Sequence, residues 1–200
     1  MEEKEAAAQG AQETKPELNI PGDIYEWLQS VIFALVLGIV LFMFAGRVVR
    51  VDGSSMYPTL HNNDLVLTSS VLYTPKAGDI VVFHTPSSPA EPLVKRIIAT
   101  EGQTVSIDFD SGTVYVDGVA LEEPYINELT YTEEDFPGRV TVPAGCLFVM
   151  GDNRNHSRDS RSDSVSFVDA RQLIGKVQVI LFPAEDEGKG RDFSRIGSVY

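Results

Sequence analysis

Asp52-Gly53-Ser54-Ser55-Met56-Tyr57-Pro58-Thr59-Leu60 lies between a long uncharged run and a series of short apolar segments. Glycine lets the backbone approach another group closely, and Pro58 restricts Tyr57 to an extended conformation. We therefore predict that Ser55 lies on a bent, non-helical loop. A serine in such a loop is either a nucleophile or an ordinary turn residue, because small polar residues beside proline are common in turns. The rest of the chain decides between these two interpretations.

From Val48 onward the sequence has the pattern of a β protein. Apolar runs of strand length are bounded by Gly, Pro, Asp or Asn, and they cover residues 64–67, 79–83, 104–107, 113–116, 140–142, 147–150 and 176–182. Asp110-Ser111-Gly112 and Asp117-Gly118 are hairpin signals. A brief helix is expected only at 167–173. These features predict a mainly β, compact, barrel-like domain over residues 48–200.

The run before this domain has the properties of a membrane span. Residues 27–46 carry no charge, and a helix rises about 1.5 Å per residue, so the run spans roughly the 30 Å of a bilayer's hydrocarbon core. Tyr25 and Trp27 stand at its start, where aromatic rings favour the membrane interface. We predict a transmembrane helix at 24–46, after a disordered tail at 1–22. A cleaved signal peptide is disfavoured because the leading region is acidic and no clear A-x-A site follows.

Composition excludes several classes of partner. The formal net charge of −13 argues against nucleic acid, whose phosphates require clustered Lys and Arg, and the longest basic run is Lys95-Arg96. The single cysteine, Cys146, cannot form an internal disulfide, and no Cys/His cluster has the spacing of zinc ligands. We expect no nucleic-acid partner, no metal and no cofactor.

Ser55 would need a base, since a serine hydroxyl is a poor nucleophile until its proton is taken. His61, His84 and His156 all lie in polar turns or loops. Lys95 differs, because it follows Leu-Val and precedes Arg-Ile-Ile in a strand-like segment. Burial would lower its affinity for the proton, as a neutral amine base requires. A solvated lysine on a strand remains the alternative.

A third stretch is unusually polar. Gly151-Asp152-Asn153-Arg154-Asn155-His156-Ser157-Arg158-Asp159-Ser160-Arg161-Ser162-Asp163 follows a buried-looking strand. It is either a surface loop or a support that holds catalytic groups rigidly.

Together the three stretches resemble the bacterial type I signal peptidases, or leader peptidases, in their compact Gram-positive-like form. That family has a membrane anchor followed by S-M-x-P-T-L, K-R-apolar and G-D-N-x-x-x-S-x-D-S-R segments, which here are residues 55–60, Lys95-Arg96-Ile97-Ile98 and residues 151–161. The resemblance extends from residue 27 to about residue 182. It implies a Ser/Lys serine protease that removes signal peptides from secreted preproteins through an acyl-enzyme. It also implies a cytoplasmic N-terminus and an extracytoplasmic domain at the bilayer, near the translocon, an orientation that charge counting leaves open.

The resemblance also implies roles for individual residues. Ser55 is the nucleophile, Lys95 the general base, and Ser157 the hydroxyl that orients the lysine by a hydrogen bond. The Ser55 N–H holds the oxyanion, and Ser54 is the candidate second donor because Gly53 stands where larger forms carry a serine. Structural support is expected from Gly151, Asp152, Asn153, Asp159 and Arg161. Candidates for substrate pockets, with core packing as the alternative, are Val51, Met56, Leu60, Leu93 and Val94.

Two other functions stay open. A self-cleaving repressor-type Ser-Lys protease would share the chemistry, but the acidic tail and the predicted span argue against a DNA-binding protein of that kind. The second is a catalytically silent, membrane-anchored module that binds secreted proteins. The presence of both Ser55 and Lys95 favours an enzyme over this second function.

Overall fold

The computed structural model describes residues 20–86, 88–186 and 190–199. Residues 1–19 of the predicted tail lie outside the described residues. The chain separates into two compact units, the first ending at Met43 and the second beginning at Phe44.

The first unit contains all but the last two residues of helix α1, Ile20–Ala45. This helix covers nearly all of the predicted span at 24–46 and also the last residues of the predicted tail. The side chains described on it, at residues 24–40, are exposed, and most of them are apolar, as Tyr25, Trp27 and Phe33 are. Over the part of the chain that the structure describes, no helix combines the length and the hydropathy of a membrane span.

The second unit is built from β strands, so the prediction of a mainly β protein is confirmed. The strands are β1 (Arg47–Arg50), β2 (Leu65–Ser69), β3 (Ile80–Thr85), β4 (Ser88–Thr100), β5 (Thr104–Asp108), β6 (Thr113–Val116), β7 (Val119–Ala120), β8 (Arg139–Thr141), β9 (Cys146–Met150), β10 (Val168–Asp169), β11 (Leu173–Phe182), β12 (Glu185–Asp186), β13 (Gly190–Arg191) and β14 (Gly197–Ser198). Short 3-10 helices cover Arg154–His156, Ala170–Gln172 and Phe193–Arg195.

Within the described residues, the larger sheet has the strand order β1-β2-β11-β3-β4-β9-β10, with β14 also paired to β11. All of these pairs are antiparallel. The path is open, with β1 and β10 at its ends, so pairing of the described strands does not form the predicted barrel-like closure. Strand β4 lies between β3 and β9, which places Lys95 opposite Val81 and Arg96 opposite Met150.

A smaller sheet has the order β7-β6-β5-β8 among the described strands. The two hairpin signals are confirmed, because β5 pairs with β6 around residues 110–112 and β6 pairs with β7 around Asp117 and Gly118. The helix expected at 167–173 is shorter than predicted. Strand β10 occupies its first part, and the single 3-10 turn at Ala170–Gln172 begins where the Asp169 carboxylate accepts the Arg171 N–H.

Apolar side chains hold these sheets together in three buried clusters. One cluster joins the two sheets through residues such as Ile98, Val114 and Phe148. A second contains Met56 and Leu60 together with strand residues of the larger sheet. The loop after β1 is therefore fixed to the sheet by its own buried side chains.

Candidate active site

Ser55 lies on the segment between β1 and β2, residues 51–64, which we call the nucleophile loop. Its backbone is a series of turns, in which the Tyr57 N–H donates to the Ser54 carbonyl at 3.1 Å and the Leu60 N–H to the Met56 carbonyl at 2.8 Å. The predicted bent, non-helical loop is confirmed. Gly53 has a φ of +86°, so the backbone is not extended at this residue.

Lys95 meets Ser55 from the neighbouring part of the sheet. Its Nζ donates to Ser55 Oγ at 2.7 Å and to the Val94 carbonyl at 3.0 Å, and the residue is only 3% exposed. Burial lowers the pKa of Lys95 from 10.5 to about 8, and the negative charge of Asp159 opposes this shift. The alternative of a solvated strand lysine is therefore wrong.

The histidines stay apart from this pair. His84 and His156 are exposed. The His61 ring packs on the Tyr57 ring, with 5.1 Å between their centroids. The basic side chain at the nucleophile is therefore a lysine.

The polar loop, residues 151–163, holds the backbone of the nucleophile. The Asn153 N–H donates to the Ser55 carbonyl at 3.0 Å, and Asn153 Nδ2 donates to the Ser54 carbonyl at 3.1 Å. A Cβ at Gly151 would lie 2.4 Å from the Ser55 carbonyl oxygen and 2.2 Å from Ser157 Oγ. Glycine is thus required at 151 because the two loops touch there.

Asp159 and Arg161 form the ion pair predicted within this loop. Arg161 Nε and Nη2 each donate to one oxygen of Asp159 at 2.9 Å, and both side chains are buried. The Gly151 N–H also donates to Asp159 at 2.9 Å. The pair therefore fixes the start of the loop, where it meets Ser55.

A second buried ion pair, between Arg96 and Asp152, was not predicted as a contact. Arg96 Nε and Nη2 donate to the two Asp152 oxygens at 2.8 and 2.6 Å, and the Thr59 hydroxyl donates to the same carboxylate. Arg96 also lies 3.9 Å from the centre of the Tyr125 ring. This network joins strand β4, the nucleophile loop and the polar loop. The adjacency of Arg96 to Lys95 was the only sequence signal that could have pointed to it.

A third buried ion pair, between Arg154 of the polar loop and Glu123 outside it, was not predicted. Arg154 donates to Glu123 through Nη1 at 2.8 Å, to the Thr130 hydroxyl at 3.0 Å and to the Gly151 carbonyl at 3.1 Å. Glu123 lies in the segment between β7 and β8, so the pair ties that segment to the site.

Ser157 differs from its prediction. Its Oγ is buried and has no hydrogen-bond partner among the described residues. The Lys95 amine donates instead to Ser55 and to Val94, so the predicted Ser157–Lys95 hydrogen bond is not formed. The Ser157 side chain nevertheless lies against Gly151, at the contact of the two loops.

The candidate pocket residues divide into two groups. Val51, Met56 and Leu60 are at most 2% exposed and belong to the core beneath the nucleophile loop, and Val94 joins the same cluster. For these residues the structure favours core packing. Leu93 is only partly buried and packs against a different cluster.

Comparison with known proteins identifies the family of this chain. The chain matches the family described as Signal peptidase, peptidase S26, over residues 24–182. The chain belongs to this family.

Its relatives within the family include the signal peptidase I of Bacillus licheniformis, 36% identical over 176 residues, which are 82% of this chain and 92% of that protein. The signal peptidase I T of Bacillus subtilis is 36% identical over 169 residues, covering 79% of this chain and 85% of that protein. A solved structure of a signal peptidase I from Enterococcus faecalis V583 is 34% identical and covers 52% of this chain and 97% of that chain, with a TM-score of 0.44.

Removing the buried carboxylate of Asp159 should destabilise this signal peptidase family member. Asp159→Ala leaves the Arg161 charge buried without its partner, and such a change typically costs about 3–5 kcal/mol of unfolding free energy. Chemical denaturation measures the loss. Asp169→Ala is the matched control, because its partner Arg171 is 89% exposed, and a smaller change in the midpoint is expected. An unchanged denaturation midpoint with lost activity would instead assign Asp159 a direct chemical role.

Proposed function

We propose that this chain is a serine endopeptidase that removes N-terminal signal peptides from secreted preproteins, with Ser55 as nucleophile and Lys95 as general base. The observation that carries the proposal is the 2.7 Å contact between Lys95 Nζ and Ser55 Oγ inside a site where the lysine is buried and its pKa is lowered to about 8. Relatives that carry the name signal peptidase I support the choice of substrate. The dyad also favours an enzyme over a silent binding module.

The geometry supports acylation by a direct proton transfer. When Lys95 is neutral, its amine accepts the Ser55 hydroxyl proton along the contact that now joins them, and Ser55 Oγ attacks the scissile carbonyl carbon. The resulting tetrahedral intermediate collapses, and the amine of the mature protein leaves with the proton held by Lys95. Water then hydrolyses the ester on Ser55, with Lys95 again taking the proton.

The hydrogen bond to the Val94 carbonyl gives the lysine a fixed direction. One N–H of the amine is directed at Val94, so the nitrogen cannot turn freely away from Ser55. Ser157 makes no hydrogen bond to Lys95, so any effect of this residue on the lysine would pass through its contact with Gly151. The ion pairs of Asp159 with Arg161 and of Asp152 with Arg96, and the amide of Asn153, support the backbone around the dyad.

The oxyanion of the tetrahedral intermediate would be bound by the Ser55 N–H, with Ser54 as the candidate second donor. Among the pocket candidates, Leu93 would contribute apolar surface to a substrate pocket, because it is only partly buried, whereas Val51, Met56, Leu60 and Val94 pack in the core.

We further propose that α1 anchors the enzyme in the cell membrane as a single pass. Residues 27–46 carry no charge, α1 extends over 26 residues, and its described apolar side chains are exposed. The N-terminus would be cytoplasmic and residues 48–200 extracytoplasmic, in contact with the lipid bilayer and near the translocon. Such an anchor raises the local concentration of enzyme at membrane-tethered preproteins.

A direct test uses the purified full-length protein in lipid vesicles with a preprotein, and mass spectrometry of the products. We expect one cut that leaves the mature N-terminus, and no cut in the same protein without its signal peptide. Failure to process several preproteins, with a folded enzyme, would contradict the proposal.

The pH dependence of processing should show the state of Lys95. Below a pH of about 8 the amine is charged and cannot accept the Ser55 proton, so kcat/KM should rise with pH through a midpoint near 8. The midpoint is measured from initial rates between pH 5 and pH 10. A rate that is independent of pH over this range would mean that Lys95 is not the base.

Ser54→Ala tests the second oxyanion donor. Ser54 is exposed and its carbonyl already accepts from Asn153 and Tyr57, so we expect the hydroxyl to contribute little to the site. The variant should keep kcat within about tenfold of the wild type, whereas loss of an oxyanion donor typically costs about 10² to 10³. A hundredfold loss of kcat with an unchanged KM would make Ser54 the second donor.

A further inference from the structure

The C-terminal segment, residues 190–199, lies beyond the family match, which ends at residue 182, and it contacts the back of the nucleophile loop. We propose that Arg195 of this segment is a positioning residue that holds the nucleophile loop in its reactive geometry, a role that rests on the proposed function for its effect on catalysis.

The contact is made at the neck of the loop, where Val51 and Asp64 meet. The Val51 N–H donates to the Asp64 carbonyl at 2.9 Å, and the Asn63 N–H donates to the Val51 carbonyl at 2.8 Å. The Asp64 carboxylate also accepts the His61 N–H at 2.7 Å, so its side chain turns back into the same loop. Asp64 therefore closes both ends of the nucleophile loop.

Asp64 is entirely buried and needs a positive partner. Arg195 supplies it, with Nη2 and Nη1 donating to the two carboxylate oxygens at 2.6 and 3.1 Å, while the Ala184 N–H donates at 2.7 Å. Arg195 is itself only 17% exposed at its side chain. A fork of two donors on one carboxylate fixes direction as well as distance, which a single contact would not do.

Arg195 also contacts the backbone of the nucleophile loop at Thr59. Its Nη2 donates to the Thr59 carbonyl at 3.3 Å, four residues after Ser55, and the Thr59 hydroxyl donates to Asp152. Asp152 in turn binds Arg96, the neighbour of Lys95. One guanidinium thus joins the closed neck of the loop to the network around the dyad.

Several contacts hold the C-terminal segment against the rest of the β-rich unit. Strand β14 pairs with β11, so that Gly197 lies opposite Ile180. The Phe193 ring packs on Phe182 with 6.1 Å between centroids, and Val199 packs against the core cluster that contains Met56. Because Phe193 and strand β14 both contact β11, the position of Arg195 is set by the larger sheet as well as by the loop that it binds.

The test compares full-length Arg195→Gln and Arg195→Lys with Arg171→Gln, a control that removes an arginine whose side chain is 89% exposed. We expect Arg195→Gln to lower kcat about tenfold at temperatures where it is folded, because small displacements of reacting groups cost large factors in rate. KM should change by less than about twofold, since the loop's misplacement acts on the chemical step. The midpoint of the pH profile should stay near that of the wild type, because Arg195 does not touch Lys95.

Arg195→Lys should recover part of the lost rate, because an ammonium pairs with Asp64 but cannot fork onto both oxygens. Amide hydrogen exchange without substrate provides a second readout, and exchange at Tyr57 and Leu60 should be faster in Arg195→Gln than in the wild type or Arg171→Gln. If Arg195→Gln fails to fold, Arg195→Lys decides the matter by the same two measurements.

Wild-type kcat together with wild-type exchange in a folded Arg195 variant would overturn the inference. Exchange is measured without any preprotein, so it tests whether Arg195 holds the nucleophile loop even if the wild-type protein processes no preprotein. If the wild-type protein processes no preprotein, the proposed function fails. Faster exchange in Arg195→Gln would still support the positioning role of Arg195, and unchanged exchange would refute it.

Discussion

Ser55→Ala and Lys95→Ala should each lower kcat/KM for preprotein processing by about 10⁴-fold or more, because nucleophile and base act as one unit. For the same reason the double variant should be no slower than either single variant. Lys95→Arg should fail equally, since a guanidinium stays protonated at any workable pH and cannot accept the Ser55 proton. Single-turnover rates with enzyme in excess over preprotein give these ratios.

A matched control separates the dyad from general effects of substitution. Lys76→Ala removes an exposed lysine outside the site. It should keep the wild-type rate, and circular dichroism should show that all variants are folded. More than about a tenth of wild-type activity in Ser55→Ala or Lys95→Ala would rule out the dyad, because a positioned base typically contributes 10² to 10⁴.

Gly151→Ala should have the second largest effect. A Cβ at this position would lie 2.4 Å from the Ser55 carbonyl oxygen and 2.5 Å from Ser157 Cβ, closer than real Cβ contacts come. The two loops must then move apart, and the Asn153 contacts that hold Ser55 are displaced with them. We expect kcat to fall by about 10² or more, in line with the cost of misplacing a catalytic group by about 1 Å.

Gly175→Ala is the control for this loss. Its Cβ would lie 2.8 Å from the Ser69 carbonyl oxygen, in the larger sheet and outside the contact between the nucleophile loop and the polar loop. Both variants should melt at lower temperature, but only Gly151→Ala should lose kcat while still folded. Equal kcat in the two folded variants would mean that the close approach at Gly151 serves stability alone.

Much of the fold could be predicted because the strands have local signals. Short apolar runs bounded by turn residues located β2, β3, β5, β6, β8, β9 and β11 to within a few residues. Whether the larger sheet closes into a barrel could not be predicted in this way, because that depends on which strands pair. Strand β11, for example, pairs with both β2 and β3 in an irregular register.

The site was predictable only in part. The motif residues Ser55 and Lys95 do meet, although they are 40 residues apart in the sequence. Asp159 and Arg161 are only 2 residues apart, so both lie within the one motif that predicted them. The Arg96–Asp152 contact spans 56 residues, so no local pattern reports it. The bond from Ser157 to Lys95 was expected from resemblance, and the amine instead donates to Val94, its own neighbour.

Two further misses have physical causes. The φ of +86° at Gly53 was not predicted, and it is a conformation that glycine adopts readily and other residues rarely do. Serine at this position would be strained, so the hydroxyl that larger forms carry there cannot simply be restored in this loop. Arg195 was not singled out because its partner Asp64 lies 131 residues away in the sequence.

Measuring the pKa of Lys95 is the most direct test of its role as the general base. Titration of the lysine side chains by NMR, with ¹³C and ¹⁵N labels and with Lys95→Arg for assignment, gives the pKa of this one amine in the folded protein without substrate. We predict a pKa near 8 for Lys95. The pKa should be lower still in Asp159→Asn, because that variant removes a negative charge that stabilises the ammonium. A midpoint near the ordinary value of about 10.4 would show that Lys95 stays charged at neutral pH, and the proposed base would be contradicted.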